Sequence, residues 1–258
     1  MDRIKQLFQN NNDNIFSVYF TAGYPKLNQT ATIIRTLADS GVDLIEIGMP
    51  FSDPVADGLT IQESSSTALK NGMSISILLE QLKDIRQYTQ IPLVLMGYLN
   101  PILQYGIDAF CSEVKECGID GLIIPDLPMH EYQEEYKSVF EAHGLKIIYL
   151  ITTQTDEERI RLIDDVSDGF IYLVTLSAIT GGKLNFTDSQ LQYLKNVQQL
   201  KLKNPVLAGF GISDRAGFNK VNEYVNGAII GSSFIRALGQ TEYSLEQSIK
   251  NFVKTIIS

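Results

Sequence analysis

Apolar residues recur along the chain in short runs, separated by longer stretches where they return at helical spacing. The runs at 16–20, 44–47, 93–96, 121–124, 147–150, 170–174, 206–208 and 228–230 read as strands. Between them, 30–38, 75–85, 109–117, 131–142, 157–166 and 189–200 have a helical period, as does 245–256 at the end of the chain. Residues 1–12 predict a further helix at the start, with Ile4, Leu7 and Phe8 on one stripe. Eight strands that alternate with helices fit an α/β fold of the (β/α)8, or TIM-barrel, type; a doubly wound sheet usually has fewer strands. No linker or composition break divides the chain, so residues 1–258 are expected to form one domain. Two βα connections carry surplus length, residues 49–72 after the second strand and 176–188 after the sixth. Surplus on that face of a barrel is where active sites are built.

The second apolar run is interrupted by one carboxylate. Alternation puts Leu44, Glu46 and Gly48 on one face and Ile45 and Ile47 on the other, and both faces read as buried. Glu46 therefore enters a low-dielectric setting, where an ionised carboxylate is costly and its pKa rises unless a partner compensates. Just beyond the strand, Pro50, Asp53, Pro54, Asp57 and Gly58 make a rigid, acid-bearing loop. One buried and one loop acid are the equipment of paired general acid and base catalysis. At this level the pattern equally fits a buried ion-pair member followed by turn and capping residues.

The ends of the last two strands are glycine-rich. Gly209-Phe210-Gly211-Ile212-Ser213 follows the seventh, with Ser213 and Asp214 suited to cap a helix, and Gly231-Ser232-Ser233 follows the eighth. In barrels, these two loops and a short helix N-terminus form a common phosphate site. Each cluster alone is weak and serves a tight turn equally well; together they favour a phosphorylated substrate.

Composition narrows the classes further. A net charge of −9 argues against a nucleic-acid or anionic-membrane surface, which needs a basic patch. No apolar run approaches the roughly 20 residues that span a bilayer, and the polar start lacks a signal-peptide apolar segment, so a cytoplasmic location is expected. Cys111 and Cys117 read as reduced thiols, and with only His130 and His143 besides, no metal site is expected. Both histidines read as helix-end residues and the pair Tyr132 and Tyr136 as surface.

Several motifs then coincide. Phe20-Thr21-Ala22-Gly23-Tyr24-Pro25, residues 46–62, Met96-Gly97-Tyr98-Leu99-Asn100-Pro101, Pro125-Asp126-Leu127-Pro128 and the glycine loop at 209–213 resemble, in order and over nearly the whole chain, the tryptophan synthase α subunit. The resemblance implies a lyase that cleaves indole-3-glycerol phosphate by a retro-aldol reaction to indole and glyceraldehyde 3-phosphate. It implies no cofactor in this chain and a pyridoxal-phosphate-dependent β subunit as partner, in an α2β2 heterotetramer that channels the indole. The family's catalytic acids match Glu46 and Asp57, and its substrate contacts match Phe20, Tyr98, Asn100, Tyr172 and Thr180. Its phosphate loops match Gly181, Phe210, Gly211, Gly231 and Ser232. Asp53, Pro54, Asp126 and Pro128 are more rigid or charged residues than the chemistry needs and are expected to face the β subunit.

The chain departs from the family at Leu176 and Ala178 in the sixth loop and at Met129-His130 in the fourth. These changes touch loop dynamics and partner signalling, not the chemistry. Another phosphate-binding barrel of the same pathway would lack the acid loop, and a synthase would use a lysine at a strand end, which these strands do not show. A non-catalytic regulatory subunit would not need both acids; indole release by the purified chain discriminates.

Overall fold

The protein is described by a computed structural model covering residues 2–54, 57–174, 186–209 and 211–257. The expected strands form with ends displaced by at most two residues: β1 Ile15–Thr21, β2 Leu44–Gly48, β3 Leu93–Met96, β4 Gly121–Ile123, β5 in two pieces, β6 Ile171–Val174, β7 Val206–Gly209 and β8 Gly227–Ile230. The pieces of β5 are Lys146–Ile147 and Tyr149–Thr152. Every hydrogen-bonded neighbour pair is parallel. The order runs from Lys146–Ile147 through β4, β3, β2, β1, β8, β7 and β6 to Tyr149–Thr152. The strand that begins the series also ends it, so the sheet closes on itself at Ile148. That residue keeps a bond to β4, its N–H donating to the Leu122 carbonyl at 2.9 Å.

Two apolar layers follow from the strand alternation. Ile15, Tyr19, Leu44, Val94, Ile123, Ile148, Phe170, Leu207 and Ile229 fill the barrel interior. Phe16, Val18, Phe20, Ile45, Ile47, Leu93 and Leu95 point outward beneath the helices. The helix Arg3–Asn10, capped by Asp2 on the Lys5 N–H, brings Ile4 into the interior cluster, with Leu7 and Phe8 packed against it. Phe8 meets Phe170 at 6.1 Å between ring centroids. At the same end Asp120 accepts from both Arg3 (3.0 Å) and Arg86 (2.6 Å). The interior is thus closed at the N-terminal ends of the strands, and the opposite end is left for the site.

Three local departures have physical reasons. Residues 49–72 are not one long loop, because Leu59–Lys70 is a helix. Its pattern hid it: the buried face is Ser64, Ser65 and Ala68, while Leu59 is 61% exposed. The helix beginning at Ile75 stops at Leu82, and Ile85–Gln87 is a separate 3-10 turn. The helix expected over 131–142 contains a π turn at Tyr132–Tyr136. Its wider turn changes the face that follows, and Tyr132 is buried edge-on against Tyr149 at 6.0 Å, which corrects the surface reading of that residue. Cys111 and Cys117 are free and buried.

Candidate active site

Glu46 lies in the middle of β2, in register with Tyr19 on β1 and Val94 on β3. Its side chain has no exposed surface. Ser17 Oγ donates to Glu46 Oε1 at 3.3 Å, and Oε2 is buried with no hydrogen-bond partner among the described residues. Among the described residues no cation pairs with it, which speaks against the ion-pair reading of Glu46. Burial raises its pKa from 4.5 to about 8, with the Ser17 hydroxyl acting in the opposite direction. The result is a carboxylic acid that stays protonated near neutrality, with one oxygen free to meet a ligand.

Asp57 comes from the loop beyond β2 and reaches back over the barrel mouth. Tyr98 Oη donates to Asp57 Oδ2 at 3.3 Å, and Gln62 Nε2 donates to the Asp57 carbonyl at 2.8 Å. Burial raises the Asp57 pKa, and the Tyr98 hydroxyl acts the other way by stabilising the anion. Tyr98 is itself buried and stacks on Phe51 at 5.2 Å, so the ring that holds Asp57 is fixed from the same loop. The two acids therefore differ in kind, one deeply buried and weakly held, the other half-exposed and held by a phenol.

Two tyrosines complete the interior face. Tyr19 leans from β1 over the last residue of β2, and Tyr172 leans from β6 over the last residue of β7. Both of those residues are glycines, Gly48 and Gly209, and a Cβ at either would overlap the tyrosine hydroxyl. Burial and the nearby carboxylates, Asp57 and Glu46, push the Tyr19 pKa up, and the same influences keep Tyr172 neutral. The expectation for Phe20 is corrected here. Phe20 has no exposed surface and belongs to the outer layer, on the opposite side of β1 from Glu46. Tyr19 is the β1 side chain that faces the acids. Sequence reading could not choose between these neighbours, since every residue of β1 is buried.

The glycine loops lie at the same end of the barrel. Ser233 Oγ donates to the Ile212 carbonyl at 2.9 Å and so ties the loop after β7 to the one after β8. Gly211 is exposed, Gly231 and Ser232 are half-buried, and Gly231 caps the helix Ser232–Leu238 without a side-chain bond. Asn100 is exposed in the first turn of the helix Leu99–Tyr105. Asp126 accepts from the Leu99 N–H at 2.9 Å, so it caps that helix as well as standing exposed on the rim. Asp53 and Pro128 are exposed and Pro54 half-buried. Thr180, Gly181 and Phe210, with the departures at Leu176 and Ala178, lie outside the described residues. Among the described residues no cluster of His, Cys, Asp and Glu could hold a metal ion, and no helix is long and apolar enough to cross a membrane.

A parallel (β/α)8 barrel with two unlike carboxylates at its mouth, beside paired glycine loops, defines an acid–base enzyme of the barrel class. The family model described as tryptophan synthase alpha chain matches residues 5–256. The chain is similar to the tryptophan synthase alpha chain of Flavobacterium psychrophilum, at 56% identity over 256 residues that span 99% of this chain and 100% of that one. Its fold is similar to the tryptophan synthase alpha chain of Legionella pneumophila, with a TM-score of 0.88 at 30% identity, covering 99% and 96% of the two chains. A chain of the tryptophan synthase complex from Pyrococcus furiosus matches with a TM-score of 0.84 at 33% identity, covering 95% of this chain and 98% of that one. The chain belongs to the tryptophan synthase alpha chain family.

Proposed function

We infer that the chain carries out the alpha reaction of tryptophan synthase, the retro-aldol cleavage of indole-3-glycerol phosphate to indole and glyceraldehyde 3-phosphate. The observation that carries the inference is Glu46, a wholly buried, unpaired carboxyl group held protonated near neutral pH beside Asp57. The bond to be broken joins C3 of the indole to the glycerol chain. Its electrons can return to the ring only after C3 is protonated, and the carbonyl of the aldehyde forms only as the adjacent hydroxyl loses its proton. Glu46 delivers the first proton and, then ionised, receives the second. Asp57 accepts a hydrogen bond from the indole N–H and offsets the positive charge that develops on the nitrogen. Each proton is accounted for, and the enzyme ends in its starting state.

The remaining residues bind and orient. Tyr98 and Asn100 flank the substrate from beyond the third strand and Tyr172 from the sixth strand itself, with Thr180. Backbone amides at Gly211, Gly231 and Ser232, with Gly181 and Phe210, hold the phosphate, a task that needs no lysine or arginine and is compatible with a net charge of −9. Asp53, Pro54, Asp126 and Pro128 face a β subunit in an α2β2 heterotetramer, which binds the pyridoxal phosphate and receives the indole; this chain needs no cofactor for its own step. The single barrel domain works in the cytoplasm. Indole release from indole-3-glycerol phosphate by the purified chain, alone and with the β subunit, tests the reading. Slow release that the β subunit accelerates supports it, and no release in either case overturns it.

A further inference from the structure

Ser17 places a hydroxyl in the apolar interior layer of the barrel. Side chains alternate along a strand, and Ile15 and Tyr19 belong to the interior cluster, so Ser17 between them also points inward. It is in register with Leu44 on β2 and Ile229 on β8, both in that cluster, and it is wholly buried. A hydroxyl among such neighbours loses its water and destabilises the fold unless it finds a partner. Among the described residues its side chain has one hydrogen bond, the 3.3 Å donation to Glu46 Oε1. Glu46 follows Leu44 on the same inward face of β2, so its carboxyl group leans back toward the closed end of the barrel to take that bond. Ser17 therefore lies beneath the acid, on the side away from the mouth, and does not touch a substrate there.

The bond distinguishes the two carboxyl oxygens. With Ser17 donating to Oε1, the proton of the neutral acid rests on Oε2, which is buried and has no hydrogen-bond partner among the described residues. A separation of 3.3 Å is long for a hydroxyl donor. Hydrogen bonds to an ionised acceptor are shorter and stronger, so Ser17 offers more to the carboxylate than to the acid it starts from. An interaction that grows as the reaction proceeds lowers the barrier without tightening substrate binding. We propose that Ser17 is a positioning residue for Glu46, a role that rests on the functional reading above. It fixes Oε2 as the oxygen that gives its proton to C3 and takes one back from the glycerol hydroxyl, and it strengthens its hold on Oε1 while the acid is ionised.

Ser17→Ala removes the donor, and Ser17→Cys nearly conserves the volume while leaving only a weak one. Both variants of the full chain are compared with the wild type in cleavage of indole-3-glycerol phosphate and in unfolding temperature, each against pH. kcat should fall by about tenfold in Ser17→Ala, the scale of one hydrogen bond, and by less in Ser17→Cys, with KM little changed in either. Without the donor the ionised form of Glu46 is less stabilised, so the acid keeps its proton to higher pH. The upper limb of both plots should therefore move to higher pH in both variants. The titratable groups around Glu46 are Tyr19 and Tyr172 and, beside these, Asp57 and Tyr98. Burial keeps the phenols of Tyr19 and Tyr172 protonated through this range, and the substitutions leave all four groups in place. A fall in kcat with both limbs unmoved overturns the proposal, since a side chain that only fills space would do the same. A rise in KM with kcat unchanged also overturns it, because Ser17 would then be touching the substrate. No cleavage by the wild-type chain would overturn the functional reading instead, and the unfolding limb reads the Ser17–Glu46 bond independently of turnover.

Discussion

At the residue scale, the site depends on two carboxyl groups placed in unlike surroundings by a single strand and its loop. Asp57 is held by the Tyr98 hydroxyl and by its own carbonyl's bond to Gln62, so its orientation does not depend on its charge. Asp57→Asn keeps the shape and loses the anion. Turnover should fall by at least about two orders of magnitude, the scale of a general acid–base contribution, with thermal unfolding little changed. Near-normal steady-state turnover would remove Asp57 from the chemistry. Glu46 was legible in the sequence because an acid inside an apolar run has few explanations. Tyr19 was not, since in a strand buried on both faces the side that looks into the barrel is set by closure of the sheet, not by local pattern. Phe20 lost its expected place for the same reason.

At the scale of elements, the strands were readable because parallel strands covered by helices on one side and a packed interior on the other are continuous apolar runs. Helices with small buried residues were not. Leu59–Lys70 buries Ser64, Ser65 and Ala68 and exposes Leu59, so its apolar period is weak. Yet this helix matters to the site: it holds Ser64 against Thr21 and ends the loop that carries Asp57. The break in β5 was equally hidden, since nothing in Lys146–Thr152 marks Ile148 as the point where the barrel closes. The glycine loops could be read as a pair only by assuming a barrel, and the bond from Ser233 to Ile212 joins them. Gly211→Val obstructs close approach of the backbone to an anion. KM for the phosphorylated substrate should rise far more than kcat falls. Equal effects on an analogue without phosphate would show that Gly211 only shapes its turn.

At the scale of the whole molecule, one end of the barrel is closed and the other is open to a partner. The N-terminal helix and the Arg3–Asp120–Arg86 group seal the bottom. Asp53, Asp126 and Pro128 stand exposed on the top rim, around the mouth. Asp53→Ala should leave the slow indole release of the isolated chain nearly unchanged and diminish its acceleration by the β subunit. Loss of the isolated activity instead would move Asp53 into the catalytic set. Asp126 is a less clean probe, because it also caps the helix that presents Asn100.

Glu46 connects all three scales, because its burial is a property of the closed barrel and its protonation is the proposed catalytic device. Its pKa is about 8 in the folded protein against an ordinary value of 4.5, so between these pH values the folded state binds more protons than the unfolded one. The stabilising contribution is fully present below about pH 4.5 and is lost as pH rises through about 8, and turnover should decline over the same upper limb as the acid ionises. Glu46→Gln should remove that slope from a plot of unfolding temperature against pH. The most direct measurement combines thermal unfolding with single-turnover indole release on Glu46→Gln at neutral pH. A protein at least as stable as the wild type that binds indole-3-glycerol phosphate but releases essentially no indole is the predicted result. A protein destabilised by roughly 3–5 kcal/mol, as when a buried ion pair loses one partner, yet still releasing indole, would contradict it.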